Sequence, residues 1–261
     1  STISLNNTGA GLTTLNIAGD KNLTLAESTA AVAGAITTIN AGAATGNVSV
    51  NTSVALTAGA FKYAGGSGTD TLTFIDDEFA TLSAGSQLDG GAGTSDKISL
   101  LDTDLTAAET AKINATVGFE ILGLNTGITL DASTLTSLKR FSVDTAAQTP
   151  TISSMATGSV TTVTANTTTL TLGTRAGVTD TTVALGTSAS AGLVIATLVT
   201  SAITSVALIS NGTAANTITA MSNSDATVFS ITGADDLTLT LNAGTAFGSK
   251  VDASAFTGKL T

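Results

Sequence analysis

The residues of this chain best suited to chemistry are aspartates set among glycines. Gly65-Gly66-Ser67-Gly68-Thr69-Asp70-Thr71-Leu72-Thr73 fits the nine-residue pattern G-G-x-G-x-D-x-U-x, where U is a large aliphatic residue. The glycines permit a tight turn whose carbonyl oxygens face inward. The aspartate adds the charged oxygen that a hard divalent cation prefers. A looser copy, Gly90-Gly91-Ala92-Gly93-Thr94-Ser95-Asp96-Lys97-Ile98, has one residue inserted before its aspartate. The chemistry this pattern supports is Ca2+ coordination between adjacent turns, by a carboxylate of one turn and backbone oxygens of another. Candidate ligands in the first copy are Asp70 and the backbone oxygens of Gly66 and Gly68. In the second they are Asp96, Gly91 and Gly93. Asp89 stands just before the second glycine pair and is placed to close a shell, and Asp76 and Asp77 are further candidates. The same residues also suit solvated Gly/Asp turns that hold no ion.

Composition narrows the alternatives. Among the 261 residues there is no cysteine and no histidine, which removes disulfides, thiol nucleophiles, zinc sites and the commonest general base. Only Lys139-Arg140 forms an adjacent basic pair, a rim cation on a solvated loop, and an enzyme is not expected. A net charge of −10 argues against nucleic acid and anionic lipid as partners. No apolar run reaches membrane-spanning length, so no membrane insertion is expected, and Ser1 opens no signal-peptide pattern. The chain reads as a fragment of a longer protein.

The elements that must position these residues are short strands. Threonine makes up about a fifth of the chain, aromatics are 3%, and the apolar residues are mostly Ala, Val, Ile and Leu. Such side chains suit narrow stacked strands. Three segments are expected: an N-terminal β-strand segment (1–60), an acidic calcium-binding segment (61–124) and a repetitive β segment (125–261). Residues 27–36 read equally as helix or strand. Ten of the 19 acidic residues fall between Asp70 and Glu120, a density that repels itself unless solvent or cations neutralise it. Glu120 is a charge-paired strand residue, a ligand or an exposed side chain. Thr106-Ala107-Ala108-Glu109 is a capping box, predicting one short helix near 106–115. From residue 125 onward, strand-like bursts return about every ten residues. Asp131-Ala132-Ser133 echoes as Asp252-Ala253-Ser254, and Ile17-Ala18-Gly19-Asp20 echoes as Ile231-Thr232-Gly233-Ala234. The expected fold is all-β, a parallel β-solenoid or β-roll, with a β-sandwich as the alternative for the C-terminal half.

Taken together, the two nonapeptides, Gly118-Phe119-Glu120-Ile121-Leu122 and Val251-Asp252-Ala253-Ser254-Ala255-Phe256-Thr257-Gly258 resemble the RTX-type surface-layer proteins of Gram-negative bacteria. The motifs cover about a quarter of the chain, while the compositional likeness runs throughout. The resemblance implies type I secretion, calcium-dependent folding outside the cell, and assembly of copies into a two-dimensional lattice at the cell surface. Anchoring to a cell-surface polysaccharide through another region would follow. Two nonapeptides instead of a long tandem array, and no recognisable secretion signal near Thr261, depart from that pattern. The competing expectation is an RTX-type adhesin or surface filament module that binds a carbohydrate or protein receptor.

Overall fold

Ser205-Val206-Ala207-Leu208-Ile209-Ser210 shows how this sequence makes structure. Val206, Leu208 and Ser210 are buried and the residues between them half-buried, the period-two pattern of a strand with one face inward. Runs of this kind, ended by Gly, Asn or Asp, recur along the chain. In the computed structural model, which describes residues 2–5, 12–27, 36–52, 60–74, 78–223, 225–242 and 250–261, they wind into a β-solenoid of parallel strands. In-register partners are 19 to 28 residues apart, as in Met155 with Thr174 and Thr167 with Ile195, so each coil is about that long. The chain divides into two compact units, residues 1–123 and 124–261.

The first unit contains β1 (Thr2–Leu5), β2 (Thr14–Gly19), β3 (Leu23–Glu27), β4 (Thr38–Ala44), β5 (Val48–Thr52), β6 (Lys62–Ala64), β7 (Thr71–Phe74), α1 (Glu78–Thr81), β8 (Gln87–Asp89), β9 (Lys97–Leu100) and α2 (Ala107–Asn114). The odd-numbered strands form one parallel sheet and the even-numbered strands another. Leu25, Val50, Leu72 and Ile98 occupy one register and stack into a buried aliphatic column. Each such side chain contributes about 1.5–3 kcal/mol by leaving water. Helix α2 begins at the expected capping box: Thr106 accepts from the Glu109 amide, and the Glu109 carboxylate accepts from the Thr106 amide. Lys112 of α2 donates to the carbonyls of Phe79 and Ala80 in α1. Residues 28–35, which belong to the ambiguous stretch 27–36, lie outside the described residues.

Strand β10 (Ile121–Leu124) carries the chain across the division between the units. The second unit then contains β11 (Thr129–Asp131), a 3-10 turn (Ala132–Thr134), β12 (Arg140–Val143), β13 (Thr151–Met155), β14 (Val160–Val163), β15 (Thr167–Thr174), β16 (Asp180–Leu185), β17 (Val194–Ser201), β18 (Ser205–Ser210), β19 (Asn216–Asn223), β20 (Val228–Gly233), β21 (Leu237–Leu241) and β22 (Lys250–Asp252). Even-numbered strands from β12 to β22 form one sheet and odd-numbered strands from β11 to β21 the other. Their described pairings are all parallel, so the sandwich alternative for this half is set aside. A sandwich of hairpins needs antiparallel neighbours, and coils of this length return each strand in the same direction.

Candidate cation site and carboxylate ladder

Parallel strands leave a problem where the chain turns. An amide just before a strand has no neighbouring carbonyl at the right place, and a buried unpaired amide is costly. In the first unit, acidic side chains meet this need. Asp70 Oδ1 accepts from the Val48 amide at 2.7 Å. Asp96 Oδ1 accepts from the Asp70 amide at 2.7 Å, and Glu120 Oε2 accepts from the Asp96 amide at 2.9 Å. Each carboxylate thus reaches back one coil to the amide in its own register. Below this ladder, the Lys97 amide donates to Asp70 O, and the Glu120 and Ile121 amides donate to Asp96 O.

The sequence signal for the third rung is the acid two residues before a buried aliphatic: Asp70 before Leu72, Asp96 before Ile98, Glu120 before Leu122. Glu120 takes a role outside the three expected from the sequence, that of a hydrogen-bond acceptor on a stacked turn. It is half-buried, while Asp70 and Asp96 are completely buried.

The glycines bring successive turns close together. A Cβ on Gly66 would collide with the Ala44 carbonyl oxygen, and one on Gly68 would come within 2.6 Å of Gly46 O. Only glycine fits such an approach, and Gly91 also needs its positive φ of 101°. The candidate ligands are therefore gathered but mostly engaged. Asp70 Oδ2 accepts from the Gly66 amide at 2.6 Å, so both of its oxygens hold backbone donors. Gly66 O accepts from the Ala92 amide at 2.8 Å. Gly68 O faces Gly93, where a Cβ would collide with it. Asp89 caps its own turn through a 2.9 Å bond from the Gly91 amide and takes no part in the ladder. Asp76 and Asp77 lie outside the described residues.

Asp96 is the exception. Its Oδ2 is buried and has no hydrogen-bond partner. Burial, and then the charges of Asp70 and Glu120, push its carboxyl up to about 6, against the opposing pull of the Asp70 and Gly93 amides. Tyr63 lies in the same interior, stacked on Phe119 at 6.2 Å. Its phenol is likewise buried without a partner, and burial, Asp70 and Asp96 raise its pKa well above the ordinary value. Among the described residues, no three acidic side chains converge closely enough to hold a metal ion. The arrangement instead leaves one buried anionic oxygen open between two neighbouring carboxylates. Lys112 does not balance them, because its ammonium is spent on α1.

The second unit meets the same need with both carboxylates and amides: Asp180 Oδ2 accepts from the Gly158 amide and Asp225 Oδ2 from the Ala202 amide, each at 3.2 Å. Asn216 Oδ1 accepts from the Leu193 amide at 2.8 Å, and Asn223 Oδ1 accepts from the amides of Asp225 and Ala226 at 2.6 and 2.7 Å. Both asparagines are buried. No protein-family model matches this chain, and no curated protein matches it. No helix among the described residues is long and apolar enough to cross a membrane.

Proposed function

We propose that this chain is a structural module of an extracellular surface layer, assembled from copies of itself and ordered by calcium. The observation that carries the reading is the open, buried Asp96 Oδ2 between Asp70 and Glu120. A divalent cation there would neutralise carboxylates that otherwise repel one another, and it would stabilise only the folded coil stack. The donor set suits calcium in its chemistry, being all oxygen and anionic. Asp96 supplies a free oxygen and Glu120 lies on the next turn, while Asp70 and Gly66 would each have to release an amide to join. Calcium is scarce inside cells and plentiful outside, so such a stack would tighten after export. Strand faces rich in Thr, Ser and Asn give copies of the chain hydrogen-bonding surfaces for association without a large apolar patch.

The test is light scattering and negative-stain electron microscopy of the purified chain, first in millimolar calcium and then in chelator. Sheets or regular oligomers that form with calcium and disperse without it are the expected result. A monomer whose size and circular dichroism ignore chelation would overturn the reading.

A further inference from the structure

Residues 124–261 carry a cavity of about 330 Å³ at the edge of their first coils. Its walls come from the 3-10 turn after β11, the segment leading into β12, the turn between β13 and β14, and the residue following β15. Leu135, Leu138 and Phe141 give it a buried apolar side. Lys139 and Arg175 give it charge. The chain has only nine basic residues, and between residues 124 and 249 only Lys139, Arg140 and Arg175 are basic. That two of these three line one cavity is a concentration the composition does not account for.

Ser159 lines the same cavity, is 1% exposed, and its Oγ has no hydrogen-bond partner. A buried hydroxyl without a partner calls for an explanation, and a bound polar ligand supplies one. Nearby, the Asp131 carboxyl is held below the usual carboxylate range, first by the Ser133 amide and hydroxyl and in smaller part by Arg175. With Asp131 offsetting one of the two cations, the site carries about one net positive charge.

We propose that this cavity binds a small organic monocarboxylate of the size of one acidic sugar ring. The Arg175 guanidinium and the Lys139 ammonium take the carboxylate, a pairing that the planar guanidinium fork favours. Ser159 Oγ hydrogen-bonds the ligand, and the apolar face of the ring rests on Leu135, Leu138 and Phe141. A cavity at the small end of ligand pockets, which span roughly 300–1,000 Å³, has room for one ring and not for a chain. One net charge suits a monoanion better than a phosphate dianion. The site does not depend on calcium or on lattice formation, and it stands or falls separately from both.

Isothermal titration of the chain with glucuronate, with glucose and with inorganic phosphate tests it. Glucuronate is expected to bind, with glucose and phosphate each at least tenfold weaker. Lys139→Gln and Arg175→Gln are each expected to weaken glucuronate at least tenfold, with unchanged circular dichroism and melting temperature. If Arg175→Gln disturbs the Asp131 turn, Lys139→Gln still decides, because Lys139 is exposed and its removal leaves the coil intact. Equal binding of glucose, binding of phosphate alone, no binding of any probe, or an unaffected Lys139→Gln variant would each overturn the proposal.

Discussion

Replacing Asp96 by Asn isolates what the buried carboxylate costs. The amide oxygen of Asn keeps the acceptor for the Asp70 amide, now 2.7 Å from Oδ1, and the substitution removes one charge from between Asp70 and Glu120. In the folded chain the Asp96 carboxyl titrates at about 6, against about 3.9 when unfolded. A folded-state value above the unfolded one means that the folded form holds the proton more tightly. This contribution is therefore complete below about pH 4 and is lost as pH rises through about 6. The loss by neutral pH is at most about 3 kcal/mol, an upper bound because solvent near the turn screens part of it. In chelator at pH 8, Asp96→Asn should therefore melt several degrees above the wild type, at about 2–4 °C per kcal/mol for a chain of this size. The wild type should lose stability between pH 5 and 7 while the variant stays flatter. In millimolar calcium the order should reverse, because only the wild type keeps the anionic oxygen. Thermal melts followed by far-UV circular dichroism read all of this. A variant less stable than the wild type in chelator at pH 8, with an unchanged pH slope, would refute the placement of an ionised, unpartnered carboxylate in the coil interior.

Gly66→Ala forces a Cβ onto the Ala44 carbonyl oxygen and should cost about 3 kcal/mol or more by denaturant unfolding. Gly158→Ala meets open space and has only its φ of 75° to strain, so it should cost about 1–2 kcal/mol. Asn223→Ala orphans the Asp225 and Ala226 amides and the Ile203 carbonyl, a loss of about 3 kcal/mol that denaturant unfolding should report. Tyr63 is the sole tyrosine, so tyrosinate absorbance should stay absent well above the ordinary pKa of about 10 and appear only as the chain unfolds. Its raised folded value means that stability falls as pH climbs past the unfolded value. A smooth titration near pH 10 in the folded chain would place its phenol at the surface.

Much of the fold was legible because its signals are local. Ser205–Ser210 announces a strand through period-two burial, and Thr106 with Glu109 announces a helix through its cap. The echo between Asp131 and Asp252 has a structural counterpart, since each aspartate accepts from the amide two residues on, of Ser133 and Ser254. Gly19 and Gly233, paired by the other echo, both take positive φ at the end of a strand. The site was harder to read, because its partners are a coil apart. Asp70 and Asp96 were visible as acids in Gly-rich turns. That Asp96 Oδ1 would accept from the Asp70 amide, 26 residues away, depends on a register that no local pattern specifies. Glu120 was the most obscure rung, for its turn has neither the glycine pair nor the aspartate that marked the other two. The cavity at Lys139 and Arg175 draws on three successive coils, and in the sequence Lys139 had only Arg140 for company.

The direction of the carboxylate ladder bears on the order in which the first unit assembles. Val48, Asp70 and Asp96 each hand their amide hydrogen to a side chain of the coil that follows. A stack growing from low to high residue number therefore carries one waiting donor at its front, exposed to water until the next acid docks on it. Growth in the opposite sense would carry a hydrated carboxylate at its front instead, which gives up that hydration as its amide docks. The first route is also the order in which any polypeptide is synthesised, so the coils can close one behind another as the chain appears.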